Sequence, residues 1–283
     1  MNIIRKGIGN LRFMVQLGFT AISNGYLIGF TKGDIYKGAS KRICVPGLNC
    51  YSCPGAIASC PIGSLQAVVG SKNYKFSFYI IGFLMIIGAI LGRFVCGWLC
   101  PFGLVQDLIH KIPSRKIKDF KLDKYLRYIK FIILGVFVIG MPLLIRGELG
   151  YGSPWFCKLI CPSGTLMAGI PLVSMNPSLQ RTTGFLFGWK ISILIIIILA
   201  SVFIYRPFCK YICPLGAIYG LFNKFSLYSY EIDTDLCNSC GVCQKKCKMN
   251  VKVYEDPNSI ECIRCGECIE NCPKKAISKS AIR

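Results

Sequence analysis

A single histidine, His110, and thirteen acidic residues against thirty-four basic ones leave this 283-residue chain poorly supplied with groups for bond-making chemistry. No serine–histidine–aspartate set can be assembled, and no glycine loop of the phosphate-cradling kind occurs. The chain is therefore read as a carrier, and no catalytic residue is assigned. Charge of either sign is scarce: 17% of residues are charged and 53% hydrophobic. That excludes an ordinary soluble domain, which must keep a charged surface in water. Membrane spans are expected, with the lipid bilayer as a partner. A net charge of +21 is what a nucleic-acid binder carries, but the basic residues sit mainly beside apolar runs, where they meet anionic head groups and set orientation. No nucleic-acid partner is expected.

Four runs are apolar enough to cross a bilayer: 13–30, 76–92, 131–145 and 184–205. The third, between Lys130 and Arg146, falls short of the ~20 residues a typical hydrocarbon core requires, so it predicts local thinning or snorkelling cations. The first follows Arg5, Lys6 and Arg12 without a small-x-small site after it, which reads as a retained helix. Residues 111–130 carry eight Lys/Arg against Asp119 and Asp123. That bias predicts a cytoplasmic loop, hence a multi-pass protein of a prokaryotic cell membrane with both termini in the cytoplasm. Loops 31–75 and 147–183 then lie outside.

What the chain has in abundance is cysteine, eighteen in all. The motif Cys-Pro-x-Gly recurs at Cys60, Cys100, Cys161 and Cys213, and Cys96, Cys157 and Cys209 stand four residues ahead of the last three. Arg93 and Arg206 each precede an inner pair by three residues. The helices and motifs together predict two parallel, pseudo-symmetric repeats, about 10–115 and 128–225, within a membrane domain over 1–225. A 4Fe-4S cluster takes four thiolates, so each two-cysteine motif is half a site that the other repeat must complete. The inner set is Cys96, Cys100, Cys209 and Cys213, with Arg93 and Arg206 balancing its charge. The outer set is Cys157, Cys161 and Cys60 with Cys53 or Cys50, Cys53 being preferred. Proline after each ligand suits a first helical position, which would aim amides at an anionic cluster. Cys44 and the remaining loop cysteine are left over, and a disulfide is open to them. Zinc would also accept paired cysteines, but it has no redox role and leaves the tail unexplained.

From about residue 229 the chain turns polar and reads Cys237-x2-Cys240-x2-Cys243-x3-Cys247, then Cys262-x2-Cys265-x2-Cys268-x3-Cys272-Pro273. This is the spacing of a bacterial two-cluster ferredoxin, in which the fourth cysteine of each run serves the other cluster. One site is then Cys237, Cys240, Cys243 and Cys272; the other is Cys262, Cys265, Cys268 and Cys247. Lys248 stands where such runs usually carry proline. The expected fold is a membrane all-α core of four transmembrane helices plus a small α+β ferredoxin-like domain over 229–283, with four 4Fe-4S clusters in total.

The array Arg93-Phe94-Val95-Cys96-Gly97-Trp98-Leu99-Cys100-Pro101, the later Cys209-x3-Cys213-Pro214-Leu215-Gly216-Ala217 and the doubled tail resemble the NapH-type membrane polyferredoxins. That family has relatives in nitrous-oxide respiration and cytochrome-oxidase assembly. The resemblance implies four-helix membrane cores and cytoplasmic clusters that exchange electrons with the quinone pool. It supports the inner four and the tail eight cysteines as ligands, whereas Cys44 to Cys60, Cys157 and Cys161 depart from its pattern. The expected function is a transmembrane electron conduit, from a cytoplasmic ferredoxin or flavodoxin-like donor to the quinone pool or an extracytoplasmic, flavin-bearing redox protein. A quinol or quinone oxidoreductase subunit, with His110 on the quinone, and a reductase that serves metal-site assembly are the alternatives. Distance is the obstacle, because a 15-residue helix rises ~22 Å. The clusters must therefore sit within the span, or a bound quinone or flavin must bridge them. Trp98 and Trp155 are expected as interface anchors.

Overall fold

The computed structural model describes residues 7–71, 78–118, 120, 122–147 and 151–280. Two helices in it are long and apolar enough to cross a membrane, Asp123–Leu144 of 22 residues and Phe185–Phe203 of 19. Phe78–Leu91 is a shorter apolar helix; the expected run 76–92 is described from Phe78, since 76 and 77 lie outside the described residues. The first helix, Gly7–Ser23, starts and stops earlier than 13–30, and Ile28–Lys32 forms a separate turn of helix after it.

The third span differs most from its sequence reading. It begins at Asp123, not at residue 131, because the charges of its first turns have partners. Asp123 pairs with Arg127 one turn along and with Lys210 at 2.5 Å, while Lys130, fully buried, pairs with Glu261. Burying a charge is tolerated once it is paired and hydrogen-bonded, so these cations sit inside the helix rather than ending it. At 22 residues the helix is about 33 Å long.

Each Cys-Pro-x-Gly opens a helix: Pro61–Val69, Pro101–His110, the run 162–175 and Pro214–Phe222. In every case cysteine is the N-cap and proline the first helical residue, where its missing N–H is no loss. The tail closes on a two-stranded antiparallel sheet that pairs Ser229–Ile232 with Ile277–Ser280. It is clamped to the rest of the chain rather than hung from a linker. Asn223 donates to the carbonyls of Ser259 and Cys262 at 2.9 and 2.7 Å, and Arg264 reaches back to Leu91 O at 3.1 Å. Trp98 is buried here, with Nε1 donating to Arg264 O at 3.0 Å. It is a tail-docking residue and not an interface anchor.

Candidate metal centres

The inner cysteines come together from both halves. Cys96, Cys100, Cys209 and Cys213 are buried, and their sulfurs are electrostatic neighbours of one another. Around them the halves reciprocate. Arg93 Nη2 donates to Cys209 O at 3.1 Å, and Arg206 Nη1 donates to Cys96 O. Both guanidiniums are fully buried and carry acid partners: Arg93 meets Glu261 at 2.9 Å, and Arg206 meets Asp107 at 2.7 and 2.5 Å. The glycine of the motif now has a reason. A Cβ at Gly103 would stand 3.2 Å from Arg206 Nη1, and one at Gly216 would stand 3.4 Å from Arg93 Nη2, so each half leaves room for the other's arginine.

The outer set forms around a cavity of about 580 Å³ whose walls include Cys50, Cys60, Cys157, Cys161 and Lys190. Cys50 lines this cavity and Cys53 does not. The Cys50 sulfur lies against Gly164 beside that of Cys161, and it is an electrostatic neighbour of Cys60, Cys157 and Cys161. Cys53 turns away, with its sulfur 3.6 Å from Asn24 Oδ1. Cys44 is buried against Ser64 at 3.5 Å. The two left-over cysteines face different partners, Cys44 towards Ser64 and Cys53 towards Asn24, and are not joined by a disulfide in this structure.

In the tail, Cys237, Cys240, Cys243 and Cys272 line one small enclosed cavity. Cys247 joins Cys262, Cys265 and Cys268 as their electrostatic neighbour. The fourth cysteine of each run has thus crossed to the other run. Lys248 continues the chain after Cys247 and pairs with Glu267 at 2.5 Å.

These four sets suit 4Fe-4S clusters. Burial pushes the Cys60 and Cys157 thiols up to about 12, and the sulfurs around them add to the rise. Thiols so dry and so crowded need a bound cation to ionise and act as ligands. The fully buried Arg93 guanidinium stands beside the Cys96 thiol.

The loop before Cys50 runs between the inner and outer sets. A Cβ on Gly47 would stand 3.0 Å from Leu99 O and 3.1 Å from Cys100 Cα, and Leu48, the next residue, lines the outer cavity. From Leu48 to Cys50 is two residues, at most about 7 Å of extended chain. Tyr219, fully buried, donates to Pro46 O at 3.0 Å and neighbours the sulfurs of Cys96, Cys100 and Cys60.

His110 is not among the residues that line the outer cavity or the first tail cavity. Its Nδ1 is 3.0 Å from Ser201 O, so Nδ1 donates and Nε2 is left as an acceptor. Burial holds it below the usual imidazole range, with Lys116 and Lys248 adding to the effect. It borders a cavity of about 450 Å³ with Arg12, Asp107 and Tyr205.

Sequence reading missed Gln66 and Gln106, buried residues whose Nε2 groups stand 3.2 Å from the Cys157 and Cys209 sulfurs. The available signal was their equal offset, six residues after Cys60 and Cys100.

Comparison with known proteins places the same motifs in a wider group. A 4Fe-4S binding domain matches residues 76–118, 131–176 and 186–227, a repeated match that fits the internal repeat, and a second 4Fe-4S binding domain matches 258–278. An uncharacterized protein of Methanocaldococcus jannaschii is 31% identical over 201 residues, 70% of this chain and 76% of its own length. Ferredoxin-type protein NapH of Haemophilus influenzae is 28% identical over 219 residues, 70% of this chain and 66% of its own. Methylamine utilization ferredoxin-type protein MauN of Paracoccus denitrificans is 27% identical over 171 residues, 58% and 50% respectively. No solved structure matches.

Proposed function

Because this chain belongs to the NapH-type, ferredoxin-like 4Fe-4S membrane proteins, we propose that it conducts electrons through a membrane between a cytoplasmic donor and a membrane or extracytoplasmic acceptor. Its ligands would be the four cysteine sets, with Cys50 in the outer one. A 4Fe-4S cluster held by each set would take up and release one electron at a time. The membrane domain, 1–225, would then present four helices around two repeats, with 229–283 as the cytoplasmic entry domain.

The chain's own residues do the rest. Helix starts and buried cations supply positive potential where thiolate charge accumulates. Electrons would pass from the tail sets to the inner set and then to the outer one. Trp98 and Arg264 hold the second tail set against the loop of Cys96, and the Gly47–Leu48 loop lies between Cys100 and the outer cavity. That loop carries the proposal, because a path through a few residues would replace a helix-long gap. Of the tail cysteines Cys240 is the exposed one, and Lys245, Lys246, Lys274 and Lys275 flank its set in sequence. An acidic ferredoxin or flavodoxin-like donor fits such a surface.

The His110 cavity favours a second reading, quinone exchange at the cytoplasmic interface, in which the imidazole Nε2 accepts a proton from a quinol.

Sealed vesicles containing the full chain and an entrapped, membrane-impermeant dye separate the two. Reduced ferredoxin added outside is expected to bleach the dye without added quinone. Bleaching only when quinone is supplied, or none at all, would end the conduit reading.

A further inference from the structure

Two glutamines do the same thing at two places, and neither is a ligand. Gln66 and Gln106 are 0% and 1% exposed. Each sits six residues after a Cys-Pro cysteine of the first half and reaches the first cysteine of a second-half pair. Gln66 Oε1 accepts from Phe156 N at 3.0 Å, while its Nε2 donates to Cys157 Sγ at 3.2 Å and to Ile62 O at 3.2 Å. Gln106 Oε1 accepts from Phe208 N at 3.2 Å, and its Nε2 donates to Cys209 Sγ at 3.2 Å and to Phe102 O at 3.4 Å. Both amides are fully used. Flipping either one would set oxygen against a carbonyl and nitrogen against an N–H, so the donor is locked on the sulfur. The corresponding positions after Cys161 and Cys213 hold Met167 and Tyr219. Each membrane site therefore receives this bond once, always across the two halves.

We propose that Gln106 and Gln66 are positioning residues that separately raise the reduction potentials of the inner and outer centres. An N–H donated to a ligating sulfur stabilises the more negative, reduced state, and such bonds are among the protein's levers on cluster potential. In so dry a site the donor is not replaced by water. Two centres in series can thereby be tuned independently, each by one side chain that leaves the four thiolates unchanged. The inference rests on the reading that both membrane sets hold 4Fe-4S clusters.

The test is an anaerobic redox titration of the full chain in detergent, followed by electron paramagnetic resonance, with iron content measured in parallel. Gln106→Met is expected to move the midpoint of one membrane signal to more negative potential, and Gln66→Met the other, at unchanged iron. Unmoved midpoints at full iron overturn the inference, and so do a shift of both signals by either variant or a loss of iron. Should the variants fail to fold, pulsed resonance on unaltered protein grown with amide-15N glutamine decides: a nitrogen coupling on both membrane signals is expected, and its absence from either overturns the inference. Unaltered protein with only about eight irons would instead defeat the cluster reading itself.

Discussion

Replacing Cys157 and Cys161 together by alanine is expected to lower the iron content from about sixteen to about twelve atoms per chain, with one resonance signal lost and three retained. The outer thiols form a self-contained set around their own cavity, and the inner arginines pair with Glu261 and Asp107 whether or not that cavity is filled. The single variants sharpen the result. Cys50→Ala is expected to lose the same four irons, whereas Cys53→Ala keeps them, because the Cys53 sulfur faces Asn24. Iron analysis and resonance on the same samples check it. Full iron in the double variant would remove the outer centre and leave a chain with clusters at its cytoplasmic end only.

The second large effect concerns tail docking. Glu261 is held by two buried cations at once, Arg93 and Lys130. Removing one partner of a buried pair costs about 3–5 kcal/mol, and Glu261→Leu strands two charges at the seam between the tail and the third span. The expected outcome is a tail that proteases cut readily and a thermal midpoint well below that of the unaltered protein. Acid should act in the same direction. Burial pushes the Glu261 carboxyl up, but Arg93 and Lys130 more than offset this and hold it below its ordinary range. A carboxyl with a lowered folded value contributes its full stability above the ordinary carboxylate range and loses it as pH falls through that lowered value. Protection should thus persist at pH 6 and fail only in strong acid for the native chain, while the Leu variant is cut at every pH. Equal resistance of the two at pH 7 would contradict the role given to this ion triad.

The inner and tail cysteine groupings were legible because they are written in short spacings: two cysteines four apart, or three within seven residues, already lie close on any helix or turn. The choice between Cys50 and Cys53 was not, since both stand in one loop and only its turn, with Cys53 N bonded to Cys50 O at 3.1 Å, aims one sulfur at Cys161 and the other at Asn24. The start of the third span was hidden for a related reason. Asp123 and Lys130 look like loop residues until Lys210 and Glu261, remote in sequence, arrive to pair with them. Trp98 next to a cysteine near an apolar run reads as an interface anchor, and only the docked tail shows what its indole N–H is for. Gln66 and Gln106 were visible as equal offsets, yet an amide carries no meaning until its sulfur partner is known.

Shared ligation across the two halves is tested most directly by comparing Cys96→Ala with Cys213→Ala in resonance spectra of the reduced full chain. Loss of one and the same signal from both variants is expected, since each half would supply two thiolates to a single inner centre. Loss of different signals, or of none, would contradict it.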